Sequence, residues 1–216
     1  MKIINVHALS LDGSIGSNSI ESDEERLNYG LTSKEDQARV RKLLETSDAV
    51  ITGSSSLISA GSAWDIKNQK GNNVSWYVYT NKGIPENLSF NNQEHIKKTI
   101  VSHSPLNNFI PKKNFQNICY GENDPAEFLV SVLRAENAEQ VLLFGGGKVN
   151  KMFFDKNLVS HLEYTFCPVV LGGSSRVNLI ESGVEAPCRA KLLHTSVENN
   201  HVFLSYELEN INSLLK

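Results

Sequence analysis

The sequence has little of what marks disulfide frameworks, metal centres or membrane spans. Its 216 residues include only three cysteines, Cys119, Cys167 and Cys188, which are far apart and form no C-x-x-C pair. We therefore expect reduced thiols. The six histidines form no H-E-x-x-H or similar ligand pair, so no metal site is expected. The first apolar run is too short for a signal peptide or a membrane span, which predicts a cytoplasmic protein without membrane contact.

Charge is also sparse, and it is evenly spread. The 21 basic and 24 acidic residues give a formal net charge of -3, with no dense basic cluster. Nucleic acid is therefore not an expected partner. A hydrophobic content of 40% is sufficient for a substantial core in a chain of this length. Because no repeat, low-complexity tract or linker divides the sequence, we expect a single domain over residues 1–216.

Short segments rich in β-branched and aromatic residues alternate with helix-like segments. The strands predicted from this pattern are 3–9, 49–52, 76–80, 99–101 and 140–144. Alternation of this kind predicts parallel β-α-β units. Near the end of the chain, Asn199-Asn200 joins two alternating segments, which predicts a tight antiparallel hairpin because asparagine tolerates positive φ. The predicted fold is α/β, with a mixed, mostly parallel sheet flanked by helices and ending in that hairpin.

Three helices are predicted between the strands. Thr32 to Glu35 resembles a capping box and predicts a helix that ends near residue 47. Asp124 followed by Pro125 predicts the start of a second helix, and residues 148–154 predict a third. Their apolar residues recur at helical spacing, so each helix is expected to pack against the sheet.

Gly145-Gly146-Gly147 lies between a predicted strand and the third helix. Three glycines allow the backbone to fold tightly and approach a ligand, and the helix start offers free N–H groups to an anion. A phosphate cradle is one interpretation, and a tight turn without a ligand is the other. The segment is not a Walker A loop, since Lys148 is followed by Val149, and it does not fit a Rossmann fingerprint, since residue 150 is Asn.

Four segments in this order resemble the reductase domain at the carboxyl end of the riboflavin-biosynthesis deaminase-reductase proteins. They are Ser10-Leu11-Asp12-Gly13, the helix end and strand at 47–53, the three glycines, and the stretch from Asn157-Leu158-Val159 to 167–173. The resemblance extends over about residues 1 to 208. It implies a dihydrofolate reductase-like fold, an NADPH-dependent reductase, a small heterocyclic substrate and a homodimer.

The resemblance also implies which residues contact the cofactor. The residues expected at the NADPH site are Ala8, Gly30, Gly53, Ser54, Ser56, Asn81, Gly145, Gly146, Gly147, Lys148, Val149 and Asn150. Residues 145–150 would wrap the pyrophosphate, and Asn81 would hold the adenosine-phosphate end. For Lys148, a solvated lysine without a ligand is the alternative.

On the substrate side, Asp12 and Asn28 are the predicted contacts, with Asp12 also the catalytic candidate because it could orient the substrate or a proton-donating water. Its alternative role is to cap the turn before Gly13. Three polar contacts of the family are absent: Leu44, Phe144 and the segment 59–62 stand where an arginine, a glutamate and a carboxylate-bearing run are expected. A phosphoribosyl-pyrimidine is therefore expected to bind poorly.

Three alternative functions can be compared with the residues present in the sequence. A cofactor-binding protein with little catalysis would explain the missing substrate contacts. A dihydrofolate or pterin reductase would fit residues 13–16, but the Gly-Arg-x-Thr pattern expected of it reads Gly53-Ser54-Ser55-Ser56. Zinc-dependent deamination is not expected, because no H-x-E segment is paired with a later P-C-x-x-C.

Overall fold

A central β-sheet organises the protein in the computed structural model, which describes residues 1–107 and 109–209. In these residues the strands are β1 (Lys2–Leu9), β2 (Ser14–Gly16), β3 (Ala49–Gly53), β4 (Ser75–Tyr79), β5 (Lys98–Ser102), β6 (Phe115–Cys119), β7 (Gln140–Gly145), β8 (His161–Phe166), β9 (Val177–Asn178), β10 (Arg189–Glu198) and β11 (His201–Glu209). Nine of them form one sheet in the order β10-β11-β8-β1-β7-β3-β4-β5-β6, and β2 pairs with β9.

The helices cover both faces of this sheet. They are α1 (Asp23–Asn28), α2 (Lys34–Glu45), α3 (Ser54–Ala60), α4 (Pro125–Ala135) and α5 (Gly147–Asp155), with a 3₁₀ turn at Ser89–Asn92. Neighbouring residues of one strand point to opposite faces. Leu143 packs with α4 and α5, whereas Leu142 packs with residues of α2 and α3. No helix in residues 1–107 or 109–209 is long and apolar enough to cross a membrane.

The mixed, mostly parallel sheet confirms the predicted fold class. Strands β8, β1, β7, β3, β4, β5 and β6 are parallel to one another, and β11 joins β8 antiparallel. The terminal hairpin is confirmed as well: Asn199 and Asn200 have φ values of 47° and 63° between β10 and β11. These are the positive φ values that a tight turn of this kind requires.

The predicted cap of α2 was placed one residue too early. Ser33, not Thr32, is the N-cap, and its hydroxyl accepts from the Asp36 backbone N–H. Thr32 instead donates its hydroxyl to the Asp36 carboxylate, at 3.0 Å. The cap of α4 is confirmed, since the Asp124 carboxylate accepts from two backbone N–H groups in the first turn.

Candidate active site

A cleft of about 560 Å³ opens at the carboxyl ends of the parallel strands. Ligands of open α/β sheets bind at this edge because the loops that follow the strands converge there. Nine residues predicted at the cofactor site line it: Ala8, Gly53, Ser54, Ser56, Asn81, Gly146, Gly147, Lys148 and Val149. They come from the ends of β1, β3, β4 and β7, so the topology brings together residues that are up to 141 positions apart, from Ala8 to Val149.

The three glycines form a tight turn, and Gly146 and Gly147 line the cleft. Gly145 has φ 69°, and a Cβ atom there would lie 2.5 Å from Oδ1 of Asn150. At Gly147 a Cβ atom would lie 2.6 Å from the Asn178 carbonyl oxygen. The peptide between Gly145 and Gly146 is cis. Only glycine fits the close approaches at Gly145 and Gly147, and Gly146 and Gly147 line the cleft, with Gly147 buried and Gly146 partly buried.

The first turn of α5 lines the cleft, and the backbone N–H groups of Gly147, Lys148 and Val149 have no hydrogen-bond partner among residues 1–107 and 109–209. Gly146 is the N-cap residue and makes no side-chain cap bond, so no side chain of the cap competes for these donors. A nine-residue helix with an open N-terminus favours an anionic group at this point. Lys148 adds little fixed charge, because its side chain is 83% exposed and lies 3.8 Å from Glu181.

Hydroxyl side chains form the wall opposite the glycines. Gly53 ends β3 so close to α5 that a Cβ atom on it would be 3.3 Å from Cγ2 of Val149. Ser54, Ser55 and Ser56 follow and line the cleft. A Cβ atom on Gly146 would lie 3.7 Å from Oγ of Ser56, so the two walls are close enough for one ligand to contact both. Farther along the edge, Asn81 accepts a hydrogen bond from the His103 backbone N–H, at 2.7 Å.

Five predicted site residues do not line the cleft. Asn150 is buried beneath the glycine loop, and Gly145 packs against it. Asn28 is exposed at the end of α1, and Gly30 follows that helix. The cofactor or substrate contacts predicted for these four residues remain predictions.

Asp12, the fifth, has the partners of a turn-capping residue. Its carboxylate accepts from Ser10 Oγ at 2.6 Å, from the backbone N–H groups of Leu171 and Gly172, and from Arg176 at 2.9 Å. The Ser10 hydroxyl and these backbone donors hold the pKa of Asp12 far below its usual range. Asp12 therefore joins the loop after β1 to the loop after β8, and its catalytic role remains a prediction.

The far end of the cleft carries charged side chains that sequence reasoning missed. Glu21, Asp23, Arg26 and Asp36 line it, and Glu21 and Asp36 are buried. Glu21 accepts from the Ser17 backbone N–H at 2.8 Å and from the hydroxyls of Ser17 and Tyr29. Burial is the largest influence on this carboxyl and raises its pKa, but the hydrogen bonds together outweigh it, so the pKa is lowered.

Arg26 also lines this part of the cleft. Its Nε atom is buried and has no hydrogen bond among residues 1–107 and 109–209. Leu44 is fully buried in the core, and Phe144 packs edge-on against Trp76 at a centroid distance of 6.0 Å. The positions at which the resemblance implies an arginine and a glutamate are thus filled by apolar packing, whereas Glu21, α1 and the start of α2 supply other charges.

No group of three or more His, Cys, Asp or Glu side chains in the described residues could hold a metal ion. His7, also missed by sequence reasoning, lines the cleft beside Ala8. Its Nε2 atom lies 2.9 Å from the Asn150 amide nitrogen, and burial lowers the pKa of His7 to about 3. The imidazole is therefore neutral.

Together, the parallel sheet, the glycine loop before α5 and the cleft at the strand ends define a dihydrofolate reductase-like α/β protein. The model of the RibD C-terminal domain family matches residues 1–204. The chain belongs to this family, which comprises the reductase domains of riboflavin biosynthesis. This match confirms the resemblance seen in the sequence. A comparison with curated proteins finds no match.

Solved structures show the same fold at low sequence identity. The riboflavin biosynthesis reductase Rib7 of Saccharomyces cerevisiae has a TM-score of 0.73 and 16% identity, covering 96% of this chain and 90% of its own. A pyrimidine reductase-like protein of Corynebacterium diphtheriae has a TM-score of 0.74 and 16% identity, with 97% and 92% covered. The deaminase/reductase of Thermotoga maritima has a TM-score of 0.73 and 16% identity; the match covers 95% of this chain but 56% of that protein.

Proposed function

We propose that the protein binds NADPH in this cleft and reduces a small heterocyclic substrate. The observation that carries the proposal is the open first turn of α5, which faces a wall of serine hydroxyls across a narrow cleft in a member of a reductase family. Gly146 and Gly147 would hold the pyrophosphate through backbone N–H groups, and Ser56 would donate from the opposite wall. When bound, the nicotinamide supplies the hydride.

The chain's own residues orient the reactants and exclude water. Ala8 and Ile15 line the cleft with small and apolar side chains, and Trp76 and Phe144 form an apolar wall. A flat ring held against such surfaces is restricted to a few orientations, and orientation accounts for a large part of the catalysis in reactions of this kind. None of these groups needs to form a bond with the substrate.

The substrate of this proposal carries no ribose phosphate. Three carboxylates, Glu21, Asp23 and Asp36, line the far end of the cleft, whereas Arg26 is the single cation described there. This balance of charge repels a phosphate dianion and suits an uncharged ring that offers N–H donors. Leu44 cannot substitute for the missing arginine, because it is enclosed in the core.

Fluorescence of the reduced nicotinamide tests the cofactor half of the proposal. NADPH should bind the wild-type protein, and Gly146→Asp should weaken binding at least tenfold because it places a carboxylate beside the pyrophosphate. Asn157→Asp is the matched control: it adds the same charge at an exposed position two residues beyond the end of α5, outside the cleft, and should leave affinity within twofold. Equal affinities for the two variants, or no binding by the wild type, would contradict the proposal.

A cofactor-binding protein with little catalysis is the second candidate, favoured by the apolar side chains at positions 44 and 144. Oxidation of NADPH in the presence of pyrimidine and pterin substrates separates the two. Substrate-dependent turnover eliminates the binding-only function. Bound NADPH without turnover on any of these substrates favours it.

We also propose a homodimer that uses the carboxyl-terminal hairpin. Strand β10 is exposed along its whole length, and its apolar residues Leu192, Leu193 and Val197 are 49%, 50% and 71% exposed. A long exposed edge strand with apolar side chains is typical of an interaction surface. Light scattering after chromatography should give twice the mass of the chain, and Val197→Lys should shift it towards the monomer.

A further inference from the structure

His7 stands at the end of a chain of buried hydrogen bonds whose direction can be followed from donor to acceptor. The Tyr164 hydroxyl donates to Oδ1 of Asn5 at 2.7 Å, and Nδ2 of Asn5 donates to the Leu143 carbonyl and to Oδ1 of Asn150. Burial raises the pKa of Tyr164 far above its usual range, so its hydroxyl keeps the proton that it donates. The orientation of the Asn5 amide is thereby fixed.

Hydrogen bonds also fix the orientation of the Asn150 amide. Its Oδ1 accepts from Asn5 at 2.9 Å, which leaves Nδ2 as the donor side. Nδ2 reaches the Leu179 carbonyl at 2.7 Å and Nε2 of His7 at 2.9 Å. Because Nδ2 is only a donor, Nε2 of His7 must be the acceptor and carries no proton.

A neutral imidazole carries a single ring proton, so when Nε2 has none the proton is on Nδ1. Burial, together with the nearby positive charge of Arg26, keeps the ring neutral despite the hydrogen bond to Asn150. Nδ1 has no hydrogen-bond partner among residues 1–107 and 109–209. Unlike the fully buried polar atoms of these residues that lack a partner, it is not completely enclosed by protein. His7 is 9% exposed, and this exposed part lies at the cleft, so the Nδ1–H group is open to the cleft.

We infer that His7 contacts the bound ligand, donating its Nδ1–H to a carbonyl oxygen or ring nitrogen of the heterocycle, and that Asn150 acts as the positioning residue that fixes this tautomer. The inference rests on the proposed function, because it assumes a reductase cleft that holds a nicotinamide and a second ring. Both rings offer acceptors of this kind. A ligand without such an acceptor would leave the buried Nδ1–H group of His7 without a hydrogen-bond partner. The contact therefore also favours ligands that carry an acceptor at this point.

Nitrogen-15 NMR of protein labelled in its histidine rings tests the tautomer directly. In the free protein at pH 7, His7 should show a protonated Nδ1 and an unprotonated Nε2, and this pattern should persist at pH 5. A protonated Nε2, or a charged ring at pH 7, would overturn the inference. The result does not depend on NADPH binding, so it can be separated from a failure of the proposed function.

Two additions then identify the acceptor. NADPH alone, or 5,6-diaminouracil added to the NADPH complex, should shift the Nδ1 resonance and slow exchange of its proton. A shift caused by NADPH alone assigns the contact to the cofactor, and a shift that appears only when 5,6-diaminouracil is added assigns it to the substrate ring. If nicotinamide fluorescence shows that NADPH is bound and neither addition moves Nδ1, the inference is wrong.

Two variants test the same contact by affinity. His7→Phe keeps an aromatic ring but removes the donor, so it should weaken the ligand identified by NMR about tenfold. Asn150→Asp keeps the imidazole but presents an acceptor to Nε2, which should move the proton to Nε2 and cause a similar loss. Unfolding in urea shows which variant remains folded. Affinity within twofold of the wild type in a folded variant would contradict the inference.

Discussion

The backbone of Gly147 lies so close to the Asn178 carbonyl that an added methyl group should destabilise the protein. The same change at the neighbouring Gly146 should not. In Gly147→Ala, the new Cβ atom would lie 2.6 Å from the Asn178 carbonyl oxygen and 3.2 Å from the Glu181 backbone nitrogen. Carbon and oxygen atoms normally stay at least about 3.3 Å apart. The segment that contains Asn178 must therefore move by more than half an ångström, or α5 must move.

The expected loss of stability follows from two opposing terms. Alanine is a better helix former than glycine by up to about 1 kcal/mol. Overpacking of a close contact costs about 1–3 kcal/mol, and a shift of residues 178–181 weakens the bonds from Glu181 N–H to the Gly147 carbonyl and from Asn150 to the Leu179 carbonyl, each of which contributes about 1 kcal/mol. The net expectation is a loss of about 2 kcal/mol, or a Tm lower by about 4–8 °C.

Gly146→Ala is the matched control because it adds the same methyl group one residue earlier. Its Cβ atom would meet Ser56 Oγ at 3.7 Å, an ordinary contact, and φ at this residue is -62°. Urea unfolding should therefore leave Gly146→Ala within about 0.5 kcal/mol of the wild type, while NADPH affinity falls because the methyl group narrows the cleft. If Gly147→Ala is as stable as the wild type, the packing argument is wrong.

Three further changes have defined outcomes. Arg39→Met removes hydrogen bonds to Glu163 and to backbone carbonyls of β8 and β11, so unfolding free energy should fall by about 2–4 kcal/mol in urea titrations, with NADPH affinity unchanged. Because the pKa of Asp12 is lowered on folding, its stabilisation is present above pH 4 and declines at lower pH; the difference between wild type and Asp12→Asn should shrink as pH falls from 4, and a constant difference refutes this role. Arg26→Gln should change the affinities for a diaminopyrimidine nucleoside and its 5′-phosphate by the same factor in calorimetry, whereas a selective loss of the phosphate ester would contradict a substrate without phosphate.

The sheet could be predicted from the sequence because its strands are short, apolar and separated by clear breaks. Helix α3 could not, because Ser54-Ser55-Ser56 has the composition of a turn and only the burial of Leu57 in the core favours a helix there. Helix α1 has no buried residue, so it shows no apolar periodicity. Its one signal is the capping box from Ser22 to Glu25, which the structure contains.

The candidate site was predictable where it depends on backbone and less so where it depends on side chains. Gly146 and Gly147 could be placed at the cleft because a glycine run between a strand and a helix has few other geometries. Asn150 is predicted to contact the cofactor with them, and this stays a prediction; three residues into the helix, its side chain turns beneath the loop and meets Asn5. The role of His7 depends on the contact between its Nε2 atom and the Asn150 amide, which joins residues 143 positions apart and leaves no local pattern in the sequence.

The two halves of the cleft therefore respond differently to substitution. At the glycine loop, backbone atoms of 178–181 and the Asn150 amide fill the space around Gly145 and Gly147, so any side chain there must displace the loop. At the far end, Glu21 and Arg26 reach the cleft from α1 and the segment before it, which belong to no strand of the large sheet. Under the proposed function, a change of charge at these positions would alter which heterocycle binds without moving a strand, whereas the glycine loop leaves no such freedom. A shared fold at 16% identity to solved structures is compatible with this division, because the fold depends on the sheet and not on the charges at the far end of the cleft.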